Sequence, residues 1–413
     1  MYKVKTLENG LTIIGEEIPY VKSISLGVWI NAGSRIEDAK VSGVSHFIEH
    51  MLFKGTRKRT SKEIASEIDN LGGQINAFTS KEYTCYYVKL LDEHIDIGLD
   101  ILSDMILNSK FDTNDIDKEK SVIIEELKMY EDSPEDLVYD MLLEHIYEGD
   151  GLGMNILGTR ESLENIKKEE LLEYFNTYYV PNNSVISISG NFNFDEMVEK
   201  IEVKFKNWDR KDVNITLDEA PFKSCFISKN KDTEQVSLAM NLKAVGIEDN
   251  EEVYSLAVVN NIFGGSISSR LFQKIREEKG LVYSIYSEQS LYRKCGELGI
   301  FASMSKENLK EVCEIIKDEI KDLSENYLSE KEIHESKEQL KGSYLLGLES
   351  TGSRMMSIGK SMLLLNKVKT TDEILECINN VNIESVKKVI NKVFNLDNLG
   401  ICVVGRDVEG IEL

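Results

Sequence analysis

The pattern that most constrains this chain is a repeat separated by about half of its 413 residues. Residues 25–38 read SLGVWINAGSRIED and residues 237–250 read SLAMNLKAVGIEDN. Each runs from an apolar strand into an acidic segment. A helical pattern follows that ends in Phe-x-Gly or Phe-Gly-Gly, HFIEHMLFKG and LAVVNNIFGG, at an offset of 210–212 residues. A second pair, NNSVISISGNF from Asn182 and LDNLGICVVGRD from Leu396, recurs at a similar separation. Duplication of an α/β unit of roughly 200 residues is the economical account, and a chain of this length is expected to need more than one core. Alternating stretches such as TCYYVKL and SVISISG, set among long amphipathic helical patterns, predict an α+β fold. Each half should then carry an antiparallel-rich sheet with helices packed on it. The polar, unpatterned stretch NWDRKDVNITLDEAPFK holds one of only four prolines and reads as the join. The expected division is a first domain at residues 1–210, a linker at 211–223 and a second domain at 224–413.

The repeat provides its own control for an unusual pair of histidines. The first copy reads VSGVSHFIEHMLFKGT, with His46 and His50 four apart and Glu49 just before the second. Carried forward by the repeat offset, His46 lands on Leu256, Ala257 or Val258, and His50 on Asn260, Asn261 or Ile262. The second copy keeps the helical pattern without imidazoles, so the fold does not require them. On a helix of 100° per residue, His50 falls about 40° and Glu49 about 300° from His46, so the three share roughly a third of the circumference. Val44, Phe47, Ile48, Met51 and Leu52 fill the remainder, the signature of a buried helix. Imidazoles at i and i+4 can converge on one cation, and a glutamate beside them is placed to act as a general base. Ser42 is expected to cap this helix, and Gly43 to leave room for a substrate backbone.

Zinc needs a third protein ligand, and DKEKSVIIEELKMYED offers carboxylates within an apolar pattern. With Val122 at zero, Val122, Ile123, Ile124, Leu127, Met129 and Tyr130 define an apolar arc from about 340° to about 200°. Glu126 at about 40° and Glu119 at about 60° fall inside it, while Glu125 at about 300° joins Ser121 and Lys128 on the polar side. A carboxylate within an apolar face must be paired, protonated or metal-bound, because a bare buried charge costs several kcal/mol. Glu126 is thus offered as the third ligand, and Glu119 as a carboxylate orienting an imidazole N–H. A helix with tolerant edges, or salt bridges to lysines elsewhere, is the alternative.

HxxEH followed by a glutamate 76 residues after its second histidine resembles the inverzincin metallopeptidases, the group of pitrilysin, insulin-degrading enzyme and mitochondrial processing peptidase. The likeness continues through LENGLTII, GGQINAFTSKEYTCYYV and SVIIEELKMYEDSPED, and through SSRLFQKIREEKGLVYSIYS in the second half. Length and organisation are similar to the short bacterial members. The resemblance implies a zinc endopeptidase with one Zn2+ per chain, ligands His46, His50 and Glu126, and Glu49 as general base. It implies that Asn76, Ala77 and Phe78 of INAFT lie on an edge strand that receives substrate as an added strand. Arg276 and Tyr283 would contact substrate near the scissile carbonyl. It further implies that the two domains form half of a clam-shell chamber. A homodimer would close that chamber, with Arg276 and Tyr283 serving the partner's site, and would take peptides or unfolded segments for processing or degradation. The segment YEGDGLGMNILGT departs from many relatives in lacking a His-Pro near its start. A non-catalytic member acting as a chaperone or assembly subunit is the alternative, but such members usually lose a ligand or the base, and this chain retains both.

Composition narrows the partners. A net charge of −23 opposes binding to nucleic acid or an anionic membrane, which needs a basic face. The six cysteines are scattered without a CxxC pair, as in reduced cytoplasmic proteins. The N-terminus shows no signal-peptide pattern, and no apolar run approaches the ~20 residues that span a bilayer.

Overall fold

Strands form where apolar residues alternate or run together between turn signals, and they pair into two sheets. The computed structural model describes residues 2–411. The first sheet contains β1 (Tyr2–Thr6), β2 (Thr12–Glu17), β3 (Ser23–Ile30), β4 (Gln74–Thr79), β5 (Thr84–Leu91) and β6 (Ser184–Gly190), in the order β1-β2-β6-β3-β5-β4. The second contains β7 (Cys225–Asn230), β8 (Val236–Ala244), β9 (Val282–Leu291), β10 (Gly296–Met304) and β11 (Leu399–Gly405), in the order β7-β11-β8-β10-β9. β2 pairs parallel with β6, and β7 pairs parallel with β11; the remaining neighbours are antiparallel. Without β1 the two orders coincide position by position. The repeat seen in the sequence is a repeat of topology.

The chain divides into two compact units, Met1–Leu127 with Met154–Thr216 and Leu346–Thr370, and Lys128–Gly153 with Leu217–Leu345 and Thr371–Leu413. The units are interleaved in sequence, a feature absent from the linear division at 1–210 and 224–413. Helix Pro134–Ile146, encoded in the first half, packs on β11 and β8, burying Leu137, Val138, Leu142, Leu143 and Ile146 in a cluster with Ala239, Cys402 and Val404. Helix Thr351–Leu365, encoded in the second half, packs on β2, β3 and β6, with Met355, Ile358 and Met362 clustered with Ile14, Trp29, Cys85 and Val185. Amphipathic periodicity shows that a helix covers a sheet, but not which sheet, so this exchange is invisible in the sequence.

The second helix approaches its sheet closely because Gly359 faces Trp29, whose indole N–H donates to Ser187 Oγ at 2.8 Å. A Cβ at Gly359 would lie 2.2 Å from Trp29 Nε1. Gly359→Ala is therefore expected to destabilise the fold by about 1–3 kcal/mol through overpacking. An unchanged midpoint in denaturant unfolding would contradict this packing. Residues 208–224 form no regular structure, although Trp208 is buried and its indole N–H donates to the Tyr179 carbonyl at 2.9 Å. Among the described residues, no helix is long and apolar enough to cross a membrane.

Candidate metal centre

The histidines stand on helix Val44–Leu52, where Val44, Ser45, His46, Phe47, Ile48, Met51 and Leu52 are buried, as its nearly uniform apolarity requires. The cap differs from the expectation. The N-cap is Gly43, not Ser42; it has φ +93° and no side chain to accept from the first turn. The Glu37 carboxylate takes that role, accepting from the N–H groups of Gly43 at 2.7 Å and Ser45 at 2.8 Å. Ser42 instead offers its carbonyl to Ser162 Oγ at 2.7 Å. The space beside Gly43 is filled by the Leu157 carbonyl oxygen, 2.5 Å from where a Cβ would sit, so the glycine serves internal packing and not a substrate backbone.

Glu126 arrives on helix Thr113–Asp132. That helix buries Ile116, Glu119, Ile123 and Leu127, a narrower stripe than the expected arc. Val122 is 49% and Met129 62% exposed, so both belong to the outer face. Glu126 is partly buried and Glu125 exposed, which separates the adjacent carboxylates as the helical periodicity anticipates. His46 Nε2 lies 3.8 Å and His50 Nε2 3.5 Å from Glu126 Oε2, and one donor atom from each of the three residues lies within 4.8 Å of the others. A tetrahedral site with bonds of about 2.0–2.1 Å places neighbouring donors roughly 3.3 Å apart. The set fits such an ion after small inward shifts.

The electrostatics also suit a cation. Burial pushes His46 down to about 4, which keeps it as the neutral imidazole that ligates metals. Burial opposes protonation of His50 as well, but hydrogen bonds to Glu126 and Glu119 and the charge of Glu49 outweigh it and raise its pKa. The hydrogen bond with His50 holds Glu126 below the ordinary glutamate range. The carboxylates that draw a proton to His50 are those that would draw a metal ion to the same place.

Glu119 is buried and meets His50 Nδ1 at 3.1 Å through one oxygen, while its other oxygen pairs with Lys54 Nζ at 2.5 Å. Glu119→Gln is expected to weaken metal binding by roughly 10–100-fold, because the ring loses the carboxylate that orients it. Chelator competition would measure this, and unchanged affinity would count against the assignment. Glu49, beside the donors, accepts from Thr79 Oγ1 at 2.5 Å, and burial raises its pKa despite that bond. Sequence reasoning does not single out Lys54 or Thr79. Lys54 carries a faint signal in standing four residues after His50, but the helix ends at Leu52 and Lys54 reaches Glu119 from the bend that follows.

Asn76, Ala77 and Phe78 lie on β4, an edge strand of the first sheet. Asn76 Oδ1 accepts from the Ala77 N–H at 2.9 Å. Arg276 and Tyr283 belong to the second unit and sit on two irregular elements. Arg276 is in the π-helix Phe272–Glu278, its guanidinium 4.8 Å from the Phe272 ring centroid, and its Nε–H donates to the Tyr283 carbonyl at 3.1 Å. Tyr283 is 76% exposed and falls at the register shift where Ser284 faces Ser303 and Val282 faces Met304. Such bulges re-aim a side chain.

Two family descriptions match successive parts of the chain. The family described as Insulinase (Peptidase family M16) matches residues 12–160, and the one described as Peptidase M16 inactive domain matches residues 165–340. A Bacillus subtilis (strain 168) protein named Uncharacterized zinc protease YmxG is 44% identical over 397 residues, covering 96% of this chain and 97% of its own. A Rickettsia felis protein named as a zinc protease is 35% identical over 413 residues, covering 99% of each. Among solved structures, a peptidase M16 inactive domain from Pseudomonas fluorescens aligns with TM-score 0.92 at 18% identity, covering 100% of both chains. A protease from Helicobacter pylori aligns with TM-score 0.89 at 18% identity, covering 98% of this chain and 99% of its own.

Proposed function

The chain belongs to the M16 insulinase family of peptidases, and from that premise we propose that it is a zinc-dependent endopeptidase acting on peptides or unfolded segments. The observation that carries this reading is the convergence of His46, His50 and Glu126 with Glu49 alongside. A zinc ion held by those three ligands would supply a Lewis acid that polarises the scissile carbonyl and makes water acidic enough to attack near neutral pH. Glu49 takes the proton from the attacking water and returns it to the leaving amine. The Thr79 hydroxyl fixes the orientation of that carboxylate. An extended peptide adds to the edge strand β4, where backbone groups read any sequence, and Phe78 borders the bound segment.

In this reading a second copy of the chain closes the chamber. Arg276 and the exposed Tyr283 of each copy then serve the other's zinc site, Tyr283 by donating to the developing oxyanion. Mixing inactive Glu49→Gln chains with inactive Arg276→Ala chains should restore activity under exchanging conditions; no rescue would count against a shared site. The peptidase reading itself is tested with a quenched peptide assayed before and after chelation. Cleavage should stop with metal removal and return with zinc. Cleavage by metal-free protein would contradict it.

A further inference from the structure

The two imidazoles are held in different ways. His50 Nδ1 meets Glu119, whereas the buried His46 Nδ1 has no hydrogen-bond partner among the described residues. The position of His46 therefore rests on packing and on its own backbone. That backbone lies in the first turn of a nine-residue helix whose cap residue has no side chain. The first N–H groups of a helix have no acceptors within it.

Two tethers supply what the cap lacks. Glu37, directly after the short turn Ser34–Ile36, is buried and bridges the Gly43 and Ser45 N–H groups. Ser45 is gripped again through its hydroxyl, which donates to Tyr174 Oη at 2.7 Å, and Tyr174 Oη donates to the Gly33 carbonyl at 3.2 Å. Both routes lead back to residues 33–37, the segment after β3. The residue immediately before His46 is thus fixed at two atoms.

We propose that Glu37 is a positioning residue for His46, setting the rotation of the first turn so that the imidazole faces His50 and Glu126. The inference rests on the reading of those three residues as metal ligands. A cap needed only for stability would be served by a neutral serine or asparagine, which avoids burying a carboxylate. Burial pushes the Glu37 carboxyl up to about 7, so the test is run at pH 8, where the acceptor form prevails.

Metal-free wild type, Glu37→Gln and Tyr174→Phe are titrated with Co2+ against a competing chelator. Affinity and visible absorption are read together, with thermal unfolding of the metal-free proteins in parallel. The glutamine amide turns one acceptor into a donor facing an N–H. Glu37→Gln is expected to bind Co2+ at least about tenfold more weakly with an altered absorption band, while remaining folded. Tyr174→Phe should shift both in the same direction by less. Wild-type affinity and spectrum in Glu37→Gln would overturn the proposal whatever the unfolding temperatures. If Glu37→Gln does not fold, Tyr174→Phe decides, and an unchanged affinity and spectrum there overturns it equally. A wild type that binds no Co2+ would defeat the reading of the metal site itself, a result distinct from equal binding by wild type and variant.

Discussion

Glu49→Gln is expected to retain its metal and lose roughly 10²–10⁴-fold in kcat, the range carried by a positioned general base. Glutamine preserves the shape of the side chain and an acceptor for the Thr79 hydroxyl, but its amide cannot take a proton from water. Burial holds the Glu49 carboxyl above its ordinary range, which strengthens it as a base, while a cation nearby favours the ionised form that the step requires. The measurement is kcat on a quenched peptide beside zinc content per chain. Normal turnover in a fully loaded variant would exclude Glu49 as the base.

Glu126→Ala is expected to abolish metal retention, and activity with it. The substitution removes one of three donors and leaves two imidazoles, so the loss should exceed the roughly 10–100-fold typical of outer partners. Glu125→Ala provides the control, since that neighbour is exposed on the other face of the same helix. Metal analysis after gel filtration should find zinc in Glu125→Ala and not in Glu126→Ala. Equal retention by both would remove Glu126 from the site.

The contrast between these neighbours shows what the sequence can carry. Helical periodicity separates Glu126 from Glu125 and places His46, Glu49 and His50 on one face, because both are consequences of local geometry. The same periodicity overestimates the buried stripe, assigning Val122 and Met129 to it although both are exposed. An apolar side chain on a wheel marks capacity for burial; the width of the stripe depends on what packs there. Glu37 and Thr79 lie outside any local pattern, because their partners come from other elements. The exchange of helices Pro134–Ile146 and Thr351–Leu365 is illegible for the same reason. The absence of histidine from the second copy is informative without any coordinates, since two units of one topology that differ at those positions show that folding alone does not call for imidazole there.

The proposed chemistry requires one cation held jointly by residues 46, 50 and 126. Anomalous diffraction from crystals loaded with one equivalent of zinc, recorded on both sides of the zinc edge, tests it directly. A single peak about 2.0–2.2 Å from His46 Nε2, His50 Nε2 and a Glu126 oxygen is the expected result. A peak at other residues, or none in fully loaded crystals, would contradict it.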